Sequence, residues 1–388
     1  MEILATTIHQ TLDTPIPNDP IHLCGIAVQS DPDEALSLAQ KEIIIPPHPI
    51  QWRRLFEDAS LRKILHLCTQ NSPPNKHLIN TIISILDTAL LTSGAPFRRD
   101  LIFTLITELE PFLPPQKTIL PATFPSLAPP TGSLNFDIPI PHLNPPTLET
   151  FQARALTPLI IPGGVAHWPA ISKWTSTNYW MNATLGGRRL VPVEIGRSYT
   201  DPDWIVKTMP FRDFLERLIK GERVYLAQHD LVNQIEELRG DVLLPDWSSD
   251  APQPEGSDAG SDTSPPPSDN IQTNTWLGPS GTQTPPHRDP SNNVFCQVMG
   301  YKYLRLFPPG DEHRLAPLRE KDPATGAEMG NTSSLDVDFF AFGRTSEGGV
   351  DVRGLEGILG PGDCVFIPKG WWHYVEALTT SGSVSFWW

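Results

Sequence analysis

Apolar residues recur every three or four positions in three segments near the start of the chain: QWRRLFEDASLRKILHLC, HLINTIISILDTALL and FRRDLIFTLITELEPFL. That spacing puts them on one face of a 3.6-residue helix, and it predicts a small helical domain over residues 1–110. Between 111 and 146 eleven prolines break the pattern, too many for a helix or a central strand. This stretch reads as an extended linker, and its isoleucines and phenylalanines suit it to lie along a domain surface. Beyond it the period shortens. RLVPVEI, NVFCQVMG, YKYLRLF, CVFIP and GSVSFWW are short β-type runs separated by turn residues, and ten of the eleven tryptophans fall after residue 160. Residues 147–388 are therefore expected to form a mainly β domain with helical decoration. Within it, residues 248–270 hold five acidic residues, no basic residue and no aromatic, so they cannot bury enough apolar surface to order. They predict a disordered loop, and the Gly-rich, polar residues 310–349 predict a second insertion.

Composition narrows the function classes. With 43 Pro and 27 Gly among 388 residues, the chain is too rich in turn residues for a mainly helical protein. The formal charge of −15 opposes phosphate binding, so direct nucleic-acid binding is not expected; an acidic surface suits a basic Arg- or Lys-containing partner, although acidity that serves only solubility is the commoner case. Cys24, Cys68, Cys296 and Cys364 stand far apart without a CxxC pair, which fits reduced thiols in an intracellular protein better than a zinc site or a disulfide framework. Neither a basic-then-apolar leader nor a long uncharged apolar run is present, so secretion and membrane association are not expected.

The candidate chemistry lies in GTQTPPHRDPSNNVFCQVMGYKYLRLFPP. His287 and Asp289 are two apart, so on an extended segment both project from the same face and can hold one ion. Some eighty positions later PGDCVFIPKGWWHYVEAL reads as turn, strand, turn and strand, with His373 on the second strand. A histidine on an apolar strand is more often a core residue than a ligand. Here, however, it completes a set of two imidazoles and one carboxylate, the facial triad of non-haem Fe(II) oxygenases, which leaves coordination positions open. In YKYLRLF, Lys302 shares a face with Leu304 and Leu306. A buried ammonium needs an anion, and the far carboxylate of 2-oxoglutarate is such an anion. An edge-strand lysine reaching solvent is the structural alternative.

These motifs, with the closing SVSFWW, resemble the JmjC-domain 2-oxoglutarate oxygenases over about residues 140–388. The resemblance implies a double-stranded β-helix of the jelly-roll or cupin type. It implies Fe(II) on His287, Asp289 and His373, which are also the catalytic residues. The cosubstrate 2-oxoglutarate falls to Tyr225, Thr284, Asn293 and Lys302, with Trp387 closing the pocket and O2 as the second cosubstrate. It places substrate contacts on Glu194, Tyr199, Trp204, Gln228 and Trp276. A carboxylate with aromatic faces suits a cationic side chain, by charge pairing and by cation–π contact.

The family reading includes both arginine hydroxylation and N-methyl-lysine demethylation of histones. A guanidinium offers more donors to Glu194 and Gln228 than a methylated ammonium does, so hydroxylation of arginine in a protein substrate is the leading expectation, with demethylation as the alternative. A non-catalytic cupin module that binds basic peptides is the alternative of another class. The resemblance also implies a nuclear or cytoplasmic address.

Overall fold

The structure, a computed structural model, describes residues 1–25, 31–44, 49–70, 75–114, 120–125, 127–129, 138–196, 203–248, 271–318, 330–335 and 354–388. It forms two compact units. The first comprises Met1–Ile119 with Met181–Val191 and Pro210–Arg212, and the second comprises Leu120–Trp180, Pro192–Met209 and Asp213–Trp388. No helix among the described residues is long and apolar enough to cross a membrane.

The first unit is built on helices α1 (Glu2–Leu12), α2 (Pro32–Ile43), α3 (Ile50–Gln70), α4 (Lys76–Ser93) and α5 (Arg99–Leu109). The three periodic segments of the sequence are α3, α4 and α5. Their apolar stripes meet: Ile8, Leu61, Ile64, Ile82, Ile83, Leu86, Ile102 and Leu105 are fully buried in one cluster. Standard caps fix the helix ends, with Asp31 accepting from Asp33 and Glu34 at the start of α2 and Asn75 accepting from Leu78 at the start of α4. Helix α3 also buries charge. Arg54 bridges to Asp58 at 3.1 Å, and the carboxylate of Glu57 accepts from the backbone N–H groups of Phe97 and Arg98, where α5 begins.

The second unit carries the jelly roll. Short helices α6 (Leu148–Gln152), α7 (Ala170–Lys173), α8 (Thr177–Ala183), α9 (Phe211–Ile219), α10 (Leu231–Gln234) and α11 (Glu312–Leu315) decorate twelve strands among the described residues. These are β1 (Leu159–Ile161), β2 (Leu190–Ile195), β3 (Ile205–Pro210), β4 (Val224–His229), β5 (Gln272–Gly278), β6 (Gln283–Arg288), β7 (Asn293–Met299), β8 (Lys302–Phe307), β9 (Leu355–Leu359), β10 (Cys364–Ile367), β11 (Trp372–Ala377) and β12 (Ser381–Trp387). Eight form a sheet in the order β1-β10-β7-β12-β5-β4-β2-β3, and four form a second in the order β6-β11-β8-β9. Neighbouring strands from β1 to β2 in the larger sheet, and all those in the smaller one, pair antiparallel.

Alternation along the strands decides which side chains meet between the sheets. Phe295, Leu304, Leu306, Leu359, Val365, Ile367 and Val375 form the core there. On the outer side of the larger sheet, Phe366 meets Phe151 with ring centroids 5.0 Å apart, and Phe386 meets Trp168 at 6.0 Å. The turn from β7 to β8 depends on Gly300: its φ is +70°, and a Cβ there would stand 2.0 Å from the Thr380 carbonyl oxygen. That turn sets the register of Lys302, the first residue of β8.

Two sequence expectations fall largely or partly outside the described residues. Of the acidic loop only Ser248 is described, and of the second insertion α11 and residues 330–335 are the main described parts.

Candidate metal centre and cosubstrate cavity

Strand β6 ends at Arg288 beside β11, with His287 opposite His373 in the register. Their ring centroids are 4.1 Å apart. Asp289 follows directly, with its oxygens 3.8 Å from His287 Nε2 and 3.5 Å from His373 Nε2. One candidate ligand atom from each residue lies within 4.8 Å of the others, close enough for one ion to bridge.

Hydrogen bonds set the tautomers. His287 Nδ1 lies 2.9 Å from the Pro285 carbonyl and His373 Nδ1 lies 3.1 Å from the Trp371 carbonyl. A carbonyl only accepts, so each Nδ1 carries the proton and each Nε2 presents a lone pair to the space beside Asp289. Burial, reinforced by the neighbouring imidazole of His287, pushes His373 down to about 4, so its ring is neutral at physiological pH. Asp289 Oδ2 is buried and has no hydrogen-bond donor. Two imidazoles and an undersatisfied carboxylate fit a divalent transition metal, and they leave the two-His, one-carboxylate arrangement open on its remaining side.

A cavity runs from this cluster between the sheets, lined by His287, Asp289, His373, Tyr225, Trp276, Thr284, Asn293, Lys302 and Trp387 among others. Lys302 is only 2 % exposed, and its Nζ has no hydrogen-bond partner. Burial lowers it to about 7. Tyr225 shares a hydrogen bond with the Thr284 hydroxyl, and burial together with the nearby Glu194 carboxylate raises its phenol well above the usual range. Gly278 leaves room for that phenol, since a Cβ would stand 2.7 Å from the ring. Asn293 Oδ1 and Trp387 Nε1 are further buried polar atoms without partners. The cavity is thus walled by undersatisfied polar groups, with one unpaired buried cation at Lys302 and acceptor ligands at the metal cluster. That asymmetry suits a small dianion held at one end by a cation and at the other by a metal.

The predicted substrate residues divide. Trp276 lines the cavity, with its ring 6.0 Å from Tyr225 and its Nε1 donating to Ser385 Oγ at 3.0 Å. Glu194 stands opposite Tyr225 in the β2–β4 register and accepts from Trp204 Nε1 at 3.2 Å. Burial raises its carboxyl, offset in part by that donor. Glu194, Trp204 and Gln228 are not among the cavity-lining residues. Gln228 sits at a register shift of β4, in the left-handed region at φ +45°. Tyr199 lies outside the described residues.

Sequence reasoning missed the apolar wall of Phe295, Ile367 and Val375. The signal was available, because period two from Asn293 leads to Phe295 and from His373 to Val375. It also passed over Arg288, between the first two candidate ligands. The Arg288 guanidinium carbon lies 5.2 Å over the Trp372 ring, and its Nη1 is 3.0 Å from Glu312 of α11.

A cupin-like domain family matches residues 146–388. Lysine-specific demethylase 8 of Danio rerio is 33% identical over 359 residues, 87% of this chain and 81% of the relative. Jumonji C domain-containing protein 5 of Drosophila melanogaster is 32% identical over 354 residues, 88% of this chain and 81% of the relative. The chain belongs to the JmjC group of the cupin-like family. Lysine-specific demethylase JMJ30 of Arabidopsis thaliana is 38% identical over 237 residues, 60% of this chain and 50% of the relative. The class of this JmjC protein is therefore that of the 2-oxoglutarate oxygenases, and its fold is the jelly roll that the resemblance implied.

Proposed function

We propose that this JmjC protein is an Fe(II)- and 2-oxoglutarate-dependent oxygenase that removes methyl groups from N-methyl-lysine in a protein substrate. The observation that carries the class is the convergence of His287, Asp289 and His373 at one end of a cavity that also holds the unpaired ammonium of Lys302. The choice of demethylation rests on the relatives, two of which are named lysine-specific demethylases. Arginine hydroxylation, which the sequence alone put first, remains the second reading. It is favoured by the Glu194 carboxyl, which has one donor in Trp204 and suits a multi-donor guanidinium.

In this reading His287 and His373 hold Fe(II) through Nε2, each oriented by a backbone carbonyl, and Asp289 supplies the anionic ligand. Lys302, Thr284 and Tyr225 would bind the far carboxylate of 2-oxoglutarate, and Asn293 and Trp387 would complete the wall of its cavity. Phe295, Ile367 and Val375 exclude water from its methylene carbons. Iron held there would, with O2 and 2-oxoglutarate, supply the oxidising power for attack on a substrate C–H bond. Glu194 neutralises the substrate cation, and Trp204 and Trp276 offer aromatic faces beside it. A hydroxylated N-methyl group then loses formaldehyde, whereas a hydroxylated arginine carbon keeps its oxygen. The acidic chain favours a basic protein partner, and the setting is nuclear or cytoplasmic.

Purified protein incubated with Fe(II), ascorbate, 2-oxoglutarate and histone-derived peptides carrying either N-methyl-lysine or arginine tests this. Methyl loss with formaldehyde release supports demethylation. Oxygen retained on arginine replaces it with the second reading. Peptide binding without succinate formation, unchanged in His287→Ala, makes the protein a binding module.

A further inference from the structure

Lys302 poses a chemical question that anion binding does not exhaust. Its Nζ lies inside the cavity, 4.9 Å from the Phe295 ring centroid and 5.8 Å from that of Tyr225, with no hydrogen-bond partner. The acidic groups of this site are committed elsewhere: Glu194, the register partner of Tyr225, accepts from Trp204, and Asp289 belongs to the metal cluster. The imidazoles of His287 and His373 line the same cavity, and the Tyr225 phenol shares its hydrogen bond with Thr284. A cation over two rings gains less than the cost of burying an unpaired ammonium. The amine therefore sheds its proton readily, and burial lowers Lys302 to about 7. A desolvated lysine in an apolar pocket is the usual form of an activated amine nucleophile.

Access exists as well. One cavity is lined by both Lys302 and the metal cluster, where the His287 side chain is 16% exposed. A carboxylate on a small reagent entering there meets the Thr284 and Tyr225 hydroxyls, which line the cavity together with the amine.

We infer that Lys302, when no dicarboxylate occupies the cavity, forms an imine with small aldehydes that carry a carboxylate, so that the cosubstrate pocket is also a covalent aldehyde site. The Nζ lone pair attacks the aldehyde carbon, and the C=O π electrons move to oxygen, which takes up a proton. Loss of water, carrying both amine protons with the carbonyl oxygen, leaves a C=N bond. No oxidant or reductant enters. A bound dicarboxylate blocks the reaction twice, by filling the space and by keeping the amine protonated as its ion-pair partner. The inference shares its cavity with the proposed function, but its readout is covalent labelling of metal-free protein and needs no turnover.

The experiment treats the metal-free full chain at pH 7 with glyoxylate and cyanoborohydride, which reduces the imine to a stable carboxymethyl amine, and maps the product by peptide mass spectrometry. Lys302 is expected to label roughly tenfold or more faster than the ordinary surface lysines, whose amines stay almost wholly protonated at this pH. Glutarate, a dicarboxylate with no reactive carbonyl, is expected to suppress labelling of Lys302 alone. Labelling confined to surface lysines overturns the inference, and so does Lys302 labelling that glutarate leaves unchanged. A protein that labels at Lys302 yet forms no succinate from 2-oxoglutarate refutes the proposed function and leaves this inference standing.

Discussion

Arg288→Ala tests how firmly the metal cluster is held before the ion arrives. Arg288 is the middle residue of His-Arg-Asp, and its side chain leaves the strand opposite to the two candidate ligands. It lies over Trp372, its own register partner on β11 and the neighbour of His373. Its guanidinium reaches Glu312 at 3.0 Å, and its backbone N–H donates to the Asn331 carbonyl at 2.9 Å. Trp372 is fully buried against Phe307 and Leu315, so the clamp ties the end of β6 to α11 and to the strand carrying the third ligand. The ion pair is part-exposed, with side-chain exposures of 34% and 48%, and it contributes at most about 1 kcal/mol. The cation–π contact over a buried ring contributes a further ~1 kcal/mol. If the clamp serves to align the ligands, losing it weakens metal binding by about 1–2 kcal/mol, or roughly tenfold at 1.4 kcal/mol per decade. Calorimetric titration of the apo protein with Co(II) measures this directly. Glu312→Gln is expected to cost only a few-fold, and the double variant to cost no more than Arg288→Ala alone, because both remove the same clamp. An unchanged Co(II) affinity in a correctly folded Arg288→Ala protein refutes the reasoning, as does full additivity of the two substitutions.

Three further outcomes are expected. Dicarboxylate binding requires the Lys302 ammonium, whose free-state value is lowered to about 7, so affinity falls roughly tenfold per pH unit above that point, and Lys302→Arg flattens the profile; calorimetry with glutarate across pH 6–9 reads both. Glu57 is raised to about 7 by burial, so the folded first unit holds a proton that the unfolded chain releases near 4.5, and stability falls as pH rises between the two values. Glu57→Gln therefore gains stability over wild type as pH rises, by up to roughly 2–3 kcal/mol above pH 7; denaturant melts at pH 5 and pH 8 that show the same difference between the two proteins contradict this. Glu194→Gln is expected to raise KM for the cationic peptide about tenfold or more while leaving 2-oxoglutarate affinity unchanged; a change in cosubstrate affinity alone reassigns Glu194 to the cavity.

The parts legible in the sequence are those written in local periodicity. Period two put Lys302 on the face of Leu304 and Leu306, which is where the structure has it, and it put His287 and Asp289 on one side of an extended segment. His373 was legible because few residue types complete such a pair. What lay beyond reach depends on contacts far apart in the chain. Nothing local shows that Met181–Val191 clusters with the helices, but Arg189 Nη2 lies 2.8 Å from Asp87 there, with both side chains buried. Nor does the sequence show that Glu194 stands across Tyr225 rather than within the cavity wall, because cross-strand register sets that position. The tautomers of His287 and His373 were equally hidden, since they follow from the carbonyls of Pro285 and Trp371, each two residues back in a local geometry that only the folded chain defines.

The central claim is that one ferrous ion is held by two imidazoles and one carboxylate. Crystals grown and soaked anaerobically with Fe(II), with diffraction recorded on either side of the iron absorption edge, test it most directly. A single anomalous peak is expected at bonding distance, about 2.0–2.2 Å, from Nε2 of His287, Nε2 of His373 and a carboxylate oxygen of Asp289. Full iron occupancy at another position, or an intact cluster with no peak under saturating Fe(II), contradicts it.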